Sequence, residues 1–199
     1  MTIDPANLNL TSLDGRTDLA GYLSAHSDIA ALMVLEHQTH MTNLLTRLGW
    51  DYRIADYAGR STTLSPVGAP VDPALAQMVA EFVDYLLFVD EAPLEDAMRG
   101  NAGFETRFAA MGPFDGRGRT LRTLDLEQRL FRYPCSYMIY TAAFDALPPA
   151  AQEAIYARMW RILTGGEDAP RYDRLSATDR RAIIEILRET KSDLPSYWD

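Results

Sequence analysis

A chain of 199 residues with 47% apolar and 24% charged positions is long enough for one domain with a sizeable core. Its formal charge of −9 argues against a nucleic-acid backbone as main partner, which needs a basic face, and against adsorption to an anionic membrane. Cys135 is the only cysteine, which excludes an internal disulfide, a zinc ribbon and covalent haem attachment through a Cys-x-x-Cys-His run.

Residues 1–23 are polar with scattered leucines and no sustained period, and read as an extended N-terminal arm. Residues 24–199 read as a single helical domain. The opening "MTIDPANLNLTSLDG" has no basic and apolar leader, so no signal peptide is expected. No run approaches the length of a membrane span, because charges cut both "ALMVL" and "YLLFV".

Ser27-Asp28 is a capping hydroxyl followed by an acid, and it starts the first strong helix. Ile29, Leu32, Met33, Met41, Leu44, Leu45 and Leu48 recur there at helical spacing. Gly49 is a stop signal, although "WDYRIADY" has the composition to continue after a kink. Residues 61–71, "STTLSPVGAPV", are loop. Asp72-Pro73 then opens a second helix striped by Leu75, Met78, Val79, Phe82, Val83, Leu86 and Val89, with Pro93 as its end.

"PLEDAMRG" and "FETRFAAM" have the pattern of short helices, and "GPFDGRGR" is the place for a small hairpin. From Asp125 the chain reads as helical, breaks near Pro134 and resumes through "SYMIYTAAFDAL". Pro148-Pro149 precedes "AQEAIYARMWRILTGG", whose glycines suit a C-terminal stop. Ser176 to Asp179 resembles a capping box before "RRAIIEILRETK", and "LPSYWD" offers two aromatics to dock on the body. The sum is an all-α fold, an irregular bundle of five or six helices with the extended arm.

The chemistry concentrates in "VLEHQTHMTN". At ~100° per residue Glu36 and His40 fall between Ile29, Leu32, Met33 and Leu44, with His37 beside them toward Leu48. Ionisable groups on an apolar stripe must be hydrogen-bonded, paired or metal-bound. One reading is a mononuclear metal site of Glu36, His37 and His40, since His-x-x-His places both rings on neighbouring turns. No second Glu-x-x-His and no His-Glu-x-x-His occurs, which removes the di-iron and zincin patterns. A haem held without covalent links needs an apolar slot as well, which nothing in the sequence shows. The other reading is a buried network in which Glu36 accepts from an imidazole or an arginine and the histidines bond backbone or tyrosine groups of facing helices. Asp90 shares a side with Val79, Val83 and Leu86, but antiparallel packing would place it nearer His26 than His37.

Cys135 and Ser136 lie among aromatics in "FRYPCSYMIY" with no nucleophile elbow, and Cys135 reads as a packed thiol. Arg107, Arg117, Arg119 and Arg122 surround the "DGRGR" turn, and read as a solvated loop whose arginines pair with the chain's own acids.

The stretches "HSDIAALMVLEHQTHMTNLLTR", "VDYLLFVDEAPL", "LFRYPCSYMIYTAAFDALP" and "IIEILRETKSDLPSYW" resemble the C-terminal region of a little-characterised group of long bacterial proteins. Those proteins are predicted to be exported, and some are labelled cytochrome c-like. The resemblance covers nearly the whole chain and brings no catalytic residue with it. It implies a bacterial source, an upstream domain and an envelope location, with any cytochrome role outside this segment.

The resulting expectation is a non-enzymatic interaction or structural module of a larger, redox-linked envelope protein. Its partner would be another protein or an upstream domain of the same polypeptide. The alternative is a metal- or haem-binding helical domain with redox or hydrolytic activity centred on Glu36, His37 and His40.

Overall fold

Two aspartates open the helices that frame this protein. In a computed structural model, which describes residues 12–21, 25–26, 28–60, 62–100, 103–167 and 169–199, Asp28 caps α1 (Ile29–Tyr57) and Asp72 caps α2 (Pro73–Leu86). The Asp28 carboxylate accepts from Ala31 N at 3.2 Å, and that of Asp72 from Ala74 N at 2.8 Å. Ser27 and most of the expected arm (residues 1–11, 22 and 23) lie outside the described residues, while 12–21 form turns and bends.

α1 runs through Gly49 without ending there. Tyr52 and Ala55 continue its buried face, and burial outweighs the cost of about 1 kcal/mol for glycine within a helix. Gly49 is used for proximity, since a Cβ there would stand 3.4 Å from a Leu147 methyl and closer still to Arg53.

α2 ends well before Pro93, in a Schellman turn. Phe88 N–H donates to Tyr85 O at 3.2 Å and Val89 N–H to Asp84 O at 2.9 Å, with Phe88 left-handed at φ 54°. Glycine is the usual residue at such a position, and a side chain there costs roughly 1 kcal/mol. The Phe88 ring offsets this by packing 4.7 Å from the His37 ring and 5.2 Å from that of Phe131.

The middle of the chain departs from its helical reading. "PLEDAMRG" forms no helix, because its backbone is paired elsewhere: Leu94 N–H donates to Gln128 O and Met98 N–H to Leu126 O. "FETRFAA" does form a helix, α3 (Phe104–Ala110). The stretch after Asp125 is a turn, because the Asp125 carboxylate takes Glu127 N–H and Gln128 N–H and so competes with helix formation. The hairpin-like closure falls there, through a single bridge of Leu124 with Phe131, and not in "GPFDGRGR".

Ser136 and Thr141 then cap a 3₁₀ turn (Tyr137–Tyr140) and the one-turn α4 (Ala142–Asp145). α5 (Pro149–Thr164) stops at left-handed Gly165, and α6 (Ala177–Thr190) starts on Ser176, whose hydroxyl accepts from Asp179 N. Among the described residues the fold is therefore all-α, with six helices and no strand.

α2 is the centre, packed on α1 to one side and α5 to the other, with α6 behind α5. Leu75, Val79, Phe82, Val83 and Leu86 are fully buried along α2. Trp198 closes the far end, its ring 5.3 Å from Trp160 and 6.3 Å from Tyr156. No helix among the described residues is long and apolar enough to cross a membrane.

Candidate functional site

α1 and α2 run antiparallel. Arg47 meets Glu81, His40 meets Tyr85, and His37 meets both Tyr85 and Phe88. Between the first half of α1 and the end of α2 lies a groove of about 1290 Å³. Glu36, His37 and His40 all line it, so the sequence cluster does come to one place.

It does not come to one point. His37 alone is core, 4% exposed, while Glu36 and His40 are exposed. Among the described residues no group of three or more His, Cys, Asp or Glu side chains is placed to hold a metal ion. The expected stripe holds from Met41 through Leu44, Leu45 and Leu48, which are buried, but not in the first turns, where Ala30, Val34 and His37 face the core while Ile29 and Leu32 face out. Asp90 is held on the groove's edge by Arg171 at 2.8 Å.

His37 finds its partner in the segment after Pro134. Ser136 N–H donates to Leu86 O at 2.8 Å, which straps this segment to the end of α2 and sets Ser136 Oγ 2.7 Å from His37 Nε2. Ser136 Oγ also accepts Met138 N–H at 3.2 Å, and since a hydroxyl both donates and accepts, its bond to Nε2 serves either neutral tautomer of the ring. Burial, and secondarily the neighbouring His40, lowers the His37 pKa from 6.5 to about 4, and the ring is neutral at physiological pH.

The ring is also roofed. Tyr85 and Phe88 lie 5.2 and 4.7 Å from it at 16° and 29°, and 6.5 Å from each other. Were they on opposite faces of His37, they would stand nearly the sum of those distances apart. Both therefore tile one face, and both rings line the groove, where the exposed His40 ring lies 4.4 Å from that of Tyr85. Burial, then the carboxylates of Glu36 and Glu91, push the Tyr85 hydroxyl up to about 12.

A neutral histidine bonded through Nε2 to a serine has two parts of a hydrolytic triad, but the third is missing. No residue bonds Nδ1 among the described ones, and Ser136 is fully buried and engaged as a cap. Cys135 is equally buried, and desolvation pushes its thiol far above the ordinary range. Of the expected network only His37 is buried, and it bonds a serine instead of a backbone or tyrosine group, while Glu36 and His40 stand outside it.

The arginines of the "DGRGR" turn are paired within the chain. Arg119 binds Asp115 at 2.6 Å and Glu185 at 2.8 Å, Arg117 binds Glu185 at 2.9 Å, and Arg122 donates to Gly112 O and lies over the Tyr137 ring. Arg107 is exposed on α3.

The groove's upper wall is apolar where a helix surface is ordinarily polar. Leu32 is 51% exposed and Leu35 57%, both turned away from the core face of α1. Sequence reasoning placed Leu32 in the core and passed over Leu35, Tyr85 and Phe88 as site residues. The "YLLF" spelling does carry a signal, since Tyr85 and Phe88 are three apart and share a face.

The chain matches no protein-family model, and neither a curated protein nor a solved structure shows significant similarity to it.

Proposed function

We propose that the protein is a helical interaction module whose docking face is the α1–α2 groove. One observation carries this reading: the first half of α1 is apolar on two sides. Ala30, Val34 and Met41 fill the core, while Ile29, Leu32 and Leu35 stand in solvent, the two leucines lining an aromatic-floored groove. Single exposed leucines are ordinary, but a row of them flanking a concave surface has the form of a docking site. The resemblance to long exported proteins fits this reading, with another protein or an upstream domain as the occupant and an envelope location. The metal-centred alternative has less support, because Glu36 and His40 diverge from His37.

The test is site-specific photo-crosslinking in cells that make the protein. Benzoylphenylalanine at position 35 should yield an adduct of defined mass, absent when the same group replaces exposed Val67. No adduct at 35, or equal adducts at both positions, would refute the reading. Elemental analysis of untagged protein serves as the opposing arm, since a stoichiometric transition metal lost in His37→Ala would favour the metal site.

A further inference from the structure

The geometry points to a basic amphipathic helix of another protein as the occupant of the α1–α2 groove, with an arginine seated on the Tyr85–Phe88 surface. This rests on the docking reading above and adds the chemistry of the partner.

Charge comes first. Among the described residues five carboxylates line the groove, those of Glu36, Glu81, Asp84, Asp90 and Glu91, against one arginine, Arg171. Arg171 is spent on Asp84 at 3.1 Å and Asp90 at 2.8 Å, and Glu81 faces Arg47 at 3.5 Å. Glu36 has no ion-pair partner among the described residues, while the Glu91 carboxylate accepts the Leu130 N–H at 2.8 Å and has the Arg174 and Arg129 charges near enough to favour its ionised form. An anionic occupant meets repulsion here, and so does a second copy of this chain, whose charge is −9.

The floor selects the kind of cation. Tyr85 and Phe88 present two adjoining ring faces, 6.5 Å apart and 30° from parallel. Ring faces attract cations within about 6 Å of the centroid, and arginine adds stacking of its planar guanidinium. Glu36, exposed on the same groove, supplies a carboxylate for the guanidinium N–H groups.

The shape selects a helix. The groove runs beside α1 from Leu32 to Leu44, roughly 18 Å at the helical rise. That matches about three turns of a third helix laid between two antiparallel ones, with Leu32 and Leu35 meeting its apolar stripe. Burying those two leucines supplies what ion pairing in water does not.

The probes are two blocked 15-residue peptides with the same leucine stripe, one flanked by arginines and the other by glutamates. At physiological salt the arginine peptide should bind at least tenfold tighter and shift amide resonances over residues 32–40 and 81–88. Leu35→Glu is the decisive variant, because it adds negative charge while removing apolar contact. Docking in the groove predicts at least tenfold weaker binding, whereas diffuse attraction to an acidic protein predicts equal or tighter binding and overturns the proposal. Tyr85→Leu should weaken the arginine peptide several-fold, and Glu153→Gln, on α5, should leave it unchanged.

Equal binding of the glutamate peptide would overturn the basic partner while leaving the docking reading intact. Arginine amide competing as well as the peptide would replace the helix with a small organic cation. Concentration-dependent dimerisation abolished by Leu35→Glu would replace it with a second copy. Failure of both peptides to bind overturns the inference, and only an accompanying loss of the position-35 crosslink overturns the docking reading as well.

Discussion

Acidification below about pH 6.5 should destabilise this protein through one histidine. His37 has a folded pKa of about 4 against an ordinary 6.5, so in that interval the unfolded chain takes a proton that the folded chain refuses. The sign follows directly. A base depressed in the folded state contributes stability above pH 6.5, and that stability is lost as pH falls toward 4. The gap between the two values corresponds to roughly 3 kcal/mol at about 1.4 kcal/mol per pH unit. Asp84 and Glu91, whose carboxyls burial pushes up, act in the opposite direction as pH falls, whereas Asp72, Asp115, Asp125 and Glu185 are lowered and add to the loss as pH falls through and below the ordinary carboxylate range. The quantity to read is therefore the difference between the wild type and His37→Gln, from urea denaturation followed by helical circular dichroism at several pH values. The wild type should lose up to about 3 kcal/mol more than the variant between pH 6.5 and 4. Parallel curves, or an imidazole that titrates near 6.5 by NMR, would show that the ring is not held neutral beneath Tyr85 and Phe88.

Ser136→Ala removes the partner of His37 Nε2 and the cap of the Tyr137–Tyr140 turn together, and should lower unfolding free energy by roughly 3 kcal/mol. Trp198→Ala empties the fully buried site against Tyr156 and Trp160, and denaturation should show a loss of about 3 to 5 kcal/mol. A loss under about 1 kcal/mol there would mean the C-terminal turn does not close the core.

Where the local signal and the tertiary demand agree, the sequence was sufficient. Asp72-Pro73, the Ser176 cap and Gly165 each bring their own hydrogen bonds or backbone freedom, so those boundaries appear as spelled. It was insufficient where a longer-range partner decides. "PLEDAMRG" has helical composition, but its N–H groups go to carbonyls some thirty residues on, and no local pattern encodes that pairing. Gly49 has the spelling of a stop, yet the burial of Tyr52 and Ala55 carries α1 past it. Phe88 is the clearest case, since a large aromatic in a left-handed C-terminal turn is explained only by the rings of His37 and Phe131 beneath it.

The candidate site was half legible for a geometric reason. The large apolar residues at the start of α1 point the stripe toward Ile29 and Leu32, while the helix is turned so that Ala30 and Val34 face α2 and its neighbours. That rotation leaves His37 within roughly 30° of the core axis and carries Glu36 more than about 100° away. One ring is thus buried and neutral, and the acid is released to the groove, so the three residues belong to two environments and share no common centre. The same rotation exposes Leu32 and Leu35. Folding alone gives no reason to spend leucines on that face, since polar residues would hold the helix as well. The misplaced stripe and the docking face are one feature: α1 carries a second apolar side because the core uses only the first.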